Sequence, residues 1–218
     1  MRHTIQLTAI GQQRREARLF GIGAFLFALG AFPGYANLVG VTADNATYFL
    51  GSIFFTGGGV TQWAARQPGA WRRPGEWEDW WAAGIQAIGT FFFNISTGSA
   101  LITGLSAAQE DRLVWRPDAF GSVCFLVASA LACVATSKRD RLWDPDARTW
   151  WSAWLNMIGS VAFGVSALGA YVNPDSGQLS NAALADLGTF IGALCFLFGA
   201  LAMRPAGRPR LRAEARPG

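Results

Sequence analysis

The chain has 218 residues, 51% of them hydrophobic and only 15% charged, with 26 glycines and a net charge of +4. A charged share this far below the ~25% of soluble domains argues against a water-soluble globule, and a net charge of +4 set by where the cations flank the apolar runs gives no reason to invoke nucleic acid. A single histidine, His3, excludes a histidine-based metal site or a catalytic triad.

Charged residues are absent from Trp80 to Gln109, from Ala119 to Ser137 and from Thr149 to Pro174, and Asp44 alone interrupts the run from Leu19 to Ala65. Uncharged apolar runs of about 18 residues or more can cross the hydrocarbon core as helices. In lipid a backbone must satisfy its own hydrogen bonds, and strand-like alternation is absent, so the predicted fold class is all-α integral membrane. The first of six predicted transmembrane helices lies near 16–36, behind Arg14, Arg15 and Arg18, with Pro33-Gly34 breaking its far end. A cleaved signal peptide would share these features. However, Ala17, Gly23, Phe25 and Phe27 match Ala83, Gly89, Phe91 and Phe93 of the third span, which favours a retained helix.

The second span, near 46–65, places Gly51, Phe55 and Gly58 on one face. Pro68-Gly69 and Pro74-Gly75 punctuate the loop to the third span, near 80–106, which holds Gln86, Asn94, Ser96, Thr97 and Ser99. The fourth, near 118–137, repeats the stripe as Gly121, Phe125 and Ala128. Asp144-Pro145-Asp146 is predicted to cap the fifth span, near 149–172, with Pro145 as its first helical residue. The sixth, near 183–203, carries Gly192, Phe196 and Gly199, and residues 204–218 are predicted to form a disordered basic tail.

These spans repeat. At a constant shift of about 70 residues, Trp80-Trp81, Gly89, Phe93 and Ser96 meet Trp150-Trp151, Gly159, Phe163 and Ser166. The expected architecture is three parallel helical-hairpin repeats, 1–66, 67–138 and 139–203, about an axis normal to the membrane. Orientation follows from the cations: every Lys and Arg except Arg112 and Arg116 falls at one end of the spans, and so does every Trp except Trp115. Positive residues stay in the cytoplasm and tryptophans favour the headgroup level, so both termini are expected inside, against anionic lipid. The opposite side carries Asp44, Glu110, Asp111, Asp118 and Asp175.

Two groups of residues are candidates for function. Phe55, Phe125 and Phe196 occupy equivalent positions beside small residues, and either build a packing seam or form a hydrophobic ring that gates a pore by dewetting. Gln86 and Asn156, which are repeat equivalents, together with Asn94 and Ser96 either bridge helices or line a polar path. Cys124, Cys133 and Cys195 read as buried thiols behaving as small hydrophobes. No ionisable residue is expected at mid-membrane depth, which argues against a proton-coupled transporter, an ion pump or a voltage sensor. Neither a catalytic pair nor a cofactor motif is legible, so the reading is non-enzymatic, with no cofactor.

The hairpin motif Gly51-Ser52-Ile53-Phe54-Phe55, repeated as Gly121-Ser122-Val123-Cys124-Phe125 and with Ala193 replacing serine in Gly192–Phe196, resembles that of the bacterial YrhK-type small membrane domain. The resemblance implies a bacterial inner-membrane location and assigns no catalytic residue. The function expected is structural or regulatory, with self-association or a protein partner; the alternative is a small channel or transporter for an uncharged or weakly polar solute.

Overall fold

The structure, a computed structural model, describes residues 2–139, 143–173 and 176–203. Those residues form α1 (Arg2–Gly30), α2 (Tyr35–Val39), α3 (Val41–Ala64), α4 (Trp77–Ser99), α5 (Ala107–Glu110), α6 (Arg116–Arg139), α7 (Arg148–Gly169) and α8 (Ala182–Met203). Among the described residues there is no strand beyond one isolated bridge, Val172 to Leu179. Three segments, Ala107–Lys138, Arg148–Gly169 and Ala182–Met203, are long and apolar enough to cross a membrane. The chain is therefore a helical membrane protein. The expected basic tail and Asp175 lie outside the described residues.

Several boundaries depart from the sequence expectation. The first helix, α1, already includes His3 and stops at Gly30, before Pro33. Gly34 and Gly40, at φ 86° and 85°, then flank the short α2 with a left-handed backbone that side chains disfavour. Pro145 does not open α7: Asp144 closes a turn by accepting from the Ala147 N–H at 3.0 Å, and the helix starts at Arg148 without a side-chain cap. The loop before the fourth span is helical instead. A capping box begins it, with the Gln109 side chain accepting from the Ser106 N–H at 2.9 Å, and a π turn over Asp111–Trp115 carries it into α6. Pro117 has no N–H for the Leu113 carbonyl, and the wider turn lies where that bond is missing.

The six long helices close a ring in chain order, α1–α3–α4–α6–α7–α8 and back to α1. Neighbours run antiparallel; against α1, for example, Gly58 meets Phe20 and Gly51 meets Phe27. One reciprocal contact recurs in the pairs α1/α3, α4/α6 and α7/α8. A methyl group at Gly23 would lie 2.9 Å from the Gly51 oxygen, and one at Gly51 would lie 3.2 Å from the Gly23 oxygen. Gly89 with Gly121 gives 3.2 and 3.1 Å, and Gly159 with Gly192 gives 3.0 and 2.9 Å. Only glycine allows backbones this close, and in lipid such van der Waals contact replaces the hydrophobic drive.

The other interfaces differ from one another. Between α3 and α4, Asn94 donates to the Thr56 hydroxyl at 2.7 Å, Thr97 to Ser52 at 3.0 Å, and Asn45 to the Ala100 carbonyl at 2.8 Å. Between α6 and α7, Ser129 and Ser160 share a hydrogen bond of 2.8 Å, Ser160 donates to the Phe125 carbonyl at 3.2 Å, and the Trp115 indole to Ala167 at 2.8 Å. Between α8 and α1 the contacts are apolar: Gly21 faces Leu197 and Ala200, and Phe32 meets Phe190 at 6.1 Å between ring centroids.

Candidate functional site

The ring axis divides into a polar vestibule and an aromatic core. Helix periodicity builds the vestibule: on α1, α4 and α7, Glu16, Ala82 and Ser152 stand one turn above Phe20, Gln86 and Asn156, so two layers face the axis. Gln62, Ala132 and Met203 enter from α3, α6 and α8, and the half-open space between them is about 490 Å³. It lies at the end of the bundle where α1 begins and α8 ends. Arg66, Arg148, Glu16 and Asp79 put both signs of charge on its wall. Below the vestibule a void of about 10 Å³, room for roughly one water, is bounded by Phe20, Phe55, Phe196, Gln62, Gln86 and Asn156.

Beneath that floor the axis is filled by six phenylalanines. Phe55, Phe125 and Phe196 form one triangle, with centroids 6.1, 6.1 and 5.5 Å apart. Phe27, Phe93 and Phe163 form a second, at 6.2, 5.9 and 5.8 Å. Each pair also meets within its own helix pair, at 5.3, 5.1 and 5.2 Å. All six are at most 5% exposed. Ring pairs at 4.5–7 Å in tilted and edge-on arrangements contribute about 0.5–1.5 kcal/mol each beyond their burial.

The polar candidates separate. Gln86 and Asn156 come together at the vestibule floor. Asn94 is turned into the α3/α4 seam toward Thr56, and Ser96 is buried on α4 away from the vestibule lining. The Phe triangle named from sequence is joined by Phe27, Phe93 and Phe163, each four residues after the glycine (Gly23, Gly89 or Gly159) on the first helix of its pair. Glu16 and Arg66 were missed, because each reads locally as a flanking charge. The Gln62 Oε1 and the Arg66 Nε–H are shielded from solvent without a partner.

The remaining groups are structural. Glu78, wholly buried, pairs with Lys138 across α4 and α6, and the ammonium lies 5.9 Å from the centre of Trp77. Cys124 and Cys195 meet Gly89 and Gly159 through their Cβ atoms, and Cys133 donates weakly to the Ala153 carbonyl at 3.6 Å. At the far end, outside the predicted span, burial and the neighbouring Asp186 carboxylate push the Asp44 carboxyl above its ordinary range. Among the described residues no group of three or more His, Cys, Asp or Glu is placed to hold a metal ion. No protein-family model, curated protein or solved structure matches the chain.

Proposed function

We propose that this chain is a non-enzymatic protein of the bacterial inner membrane with six spans, arranged as three like-oriented hairpins with both termini in the cytoplasm. Its role in this reading is structural or regulatory, exerted through helix surfaces and, at the basic rim, on anionic lipid. The observation that carries it is the six-phenylalanine core, which fills the axis where a conduit would run. Six spans are supported by apolar side chains turned outward on every long helix: Phe25, Ile53, Phe91, Val123, Val161 and Leu187 are each at least 47% exposed, as lipid-facing residues are. The threefold Gly–Gly contact supports the hairpin repeat, and the YrhK-type resemblance belongs to the same reading.

The second reading, a small channel or transporter, draws on the vestibule, whose polar floor ends against Phe55 and Phe196. Solute flux into proteoliposomes separates the two. The core reading expects no flux of small uncharged solutes above empty vesicles, and none gained on Phe125→Ala beyond leakage of unfolded protein. Saturable flux through wild type, enlarged by Phe125→Ala, would establish the channel. Cysteine-labelling of both chain ends in spheroplasts tests the orientation, and label reaching either end from outside refutes it.

A further inference from the structure

The connections at the end of the bundle away from the vestibule are not alike. The segment 100–115 carries Glu110, Asp111 and Arg112, and the segment 170–181 carries Asn173, Asp175 and Ser176. Residues 31–43, between α1 and α3, hold no charge at all. Within them Gly34 and Gly40, both with a left-handed backbone, set off α2 as a separate helical turn. Leu38 on that turn is 85% exposed, and Val41, just past it, is 69% exposed. Val39 is exposed too, and Phe25 and Phe32 carry the outward apolar surface of α1 toward the segment. Apolar side chains this bare to water are disfavoured. We propose that α2 is an interfacial anchor, with Leu38 and Val41 inserted at the boundary between headgroups and acyl chains of the outer leaflet.

The inference rests on the six-span reading, which puts residues 31–43 at the outer ends of the first two spans. Three observations favour lipid as the occupant. The backbone of the segment is satisfied from within: the Leu38 and Gly40 N–H groups donate to the Gly34 and Ala36 carbonyls at 3.2 and 2.8 Å. Such a turn can enter a region poor in water without stranding polar groups. The Tyr35 hydroxyl is held by that of Thr47 at 3.1 Å, and tyrosine favours the headgroup level. Asp44, the first charge beyond the segment, has its Oδ1 shielded from solvent by protein, so it does not oppose insertion. A second protein fits less well. A stable interface covers about 800 Å² on each partner, far more than the side chains of Leu38, Val39 and Val41 supply. Because the segment is uncharged, its seat in lipid depends on hydrocarbon and not on headgroup charge, unlike the basic rim at the other end.

Nitroxide labelling of the full chain in liposomes tests it, in a background carrying Cys124→Ala, Cys133→Ala and Cys195→Ala. Collisions with oxygen report lipid, and collisions with a nickel chelate report water. Labels on Leu38→Cys and Val41→Cys should meet oxygen in preference to nickel, at a depth of about 5–10 Å. The depth should be the same in phosphatidylcholine and phosphatidylglycerol vesicles. A label on Ala108→Cys, in the charged connection before α6, should meet nickel. Nickel contact at positions 38 and 41 equal to that at 108 overturns the anchor. So do labels there shielded from both reagents: spectral broadening relieved by dilution with unlabelled chain then identifies a second copy as occupant, and its absence identifies burial against protein. Labels on Phe25→Cys and Ile53→Cys report on the spans themselves. Deep labels at 25 and 53 with a nickel-exposed label at 38 remove the anchor and leave the spans, whereas nickel contact at 25 and 53 removes the six-span reading.

Discussion

The α6/α7 and α8/α1 seams both join neighbouring helix pairs, but with different chemistry. The first is stitched by Ser129–Ser160, by Ser160 on the Phe125 carbonyl and by the Trp115 indole on Ala167. The second rests on Gly21, Leu197, Ala200 and the Phe32–Phe190 pair, and among the described residues no side-chain hydrogen bond crosses it. Yet the glycine contacts inside each pair are nearly the same three times over. Backbone proximity thus makes the pairs, and polar stitching orders two of the joins. The α8/α1 join has no such stitching among the described residues, so it is expected to be the weakest of the three joins between pairs.

Disrupting a glycine contact should exceed anything done at a seam. Gly192→Leu puts a side chain where even a methyl would lie 2.6 Å from the Phe163 ring and 2.9 Å from the Gly159 oxygen. Its cost should pass about 4–5 kcal/mol, seen as loss of cooperative unfolding in circular dichroism. A melt as sharp as wild type would show that the helices do not touch there. Next comes Phe125→Ala, which removes a ring shared by both seams' core and should cost about 3–5 kcal/mol in chemical unfolding. Ser160→Ala deletes two bonds of the stitched seam and should cost about 1–2 kcal/mol. In wild type α6 and α7 should exchange about tenfold more slowly than α1 and α8, and the variant should lose that difference; equal exchange in wild type would end the comparison. The smallest effect belongs to Asp44→Asn. Because burial and Asp186 hold that carboxyl above its ordinary range, its charged form is disfavoured in the native state, and stability is lost as pH rises through the raised value. The variant should therefore melt slightly higher at neutral pH, by less than about 0.5 kcal/mol, and match wild type below the ordinary carboxylate range.

Much of the fold was legible because lipid restricts the choices. Runs without charge at Trp80–Gln109 and Thr149–Pro174 can only be helices there, and the stripe of Gly51, Phe55 and Gly58 follows from the turn of a helix. The helical passage from Ser106 into α6 was less visible. Pro117 reads as a boundary, and only the capping pair Ser106 and Gln109 signals otherwise. Within the site, Gln86 and Asn156 were found by their repeat register. Asn94 and Ser96 share that helix but face elsewhere, since a few residues along a helix turn a side chain to another neighbour. Glu16 and Arg66 gave no signal because each lies among loop or terminal charges, and their meeting depends on α1 and α3 being side by side.

The residues by themselves determined that this chain is helical and apolar, where its glycines and phenylalanines recur, and which end carries its cations, because these are properties of one helix against lipid and water. Tertiary packing decided the rest. Six rings from six helices converge on the axis and leave a charged vestibule above them, an arrangement no single helix can encode, since it depends on how closely glycine lets the neighbouring backbones approach.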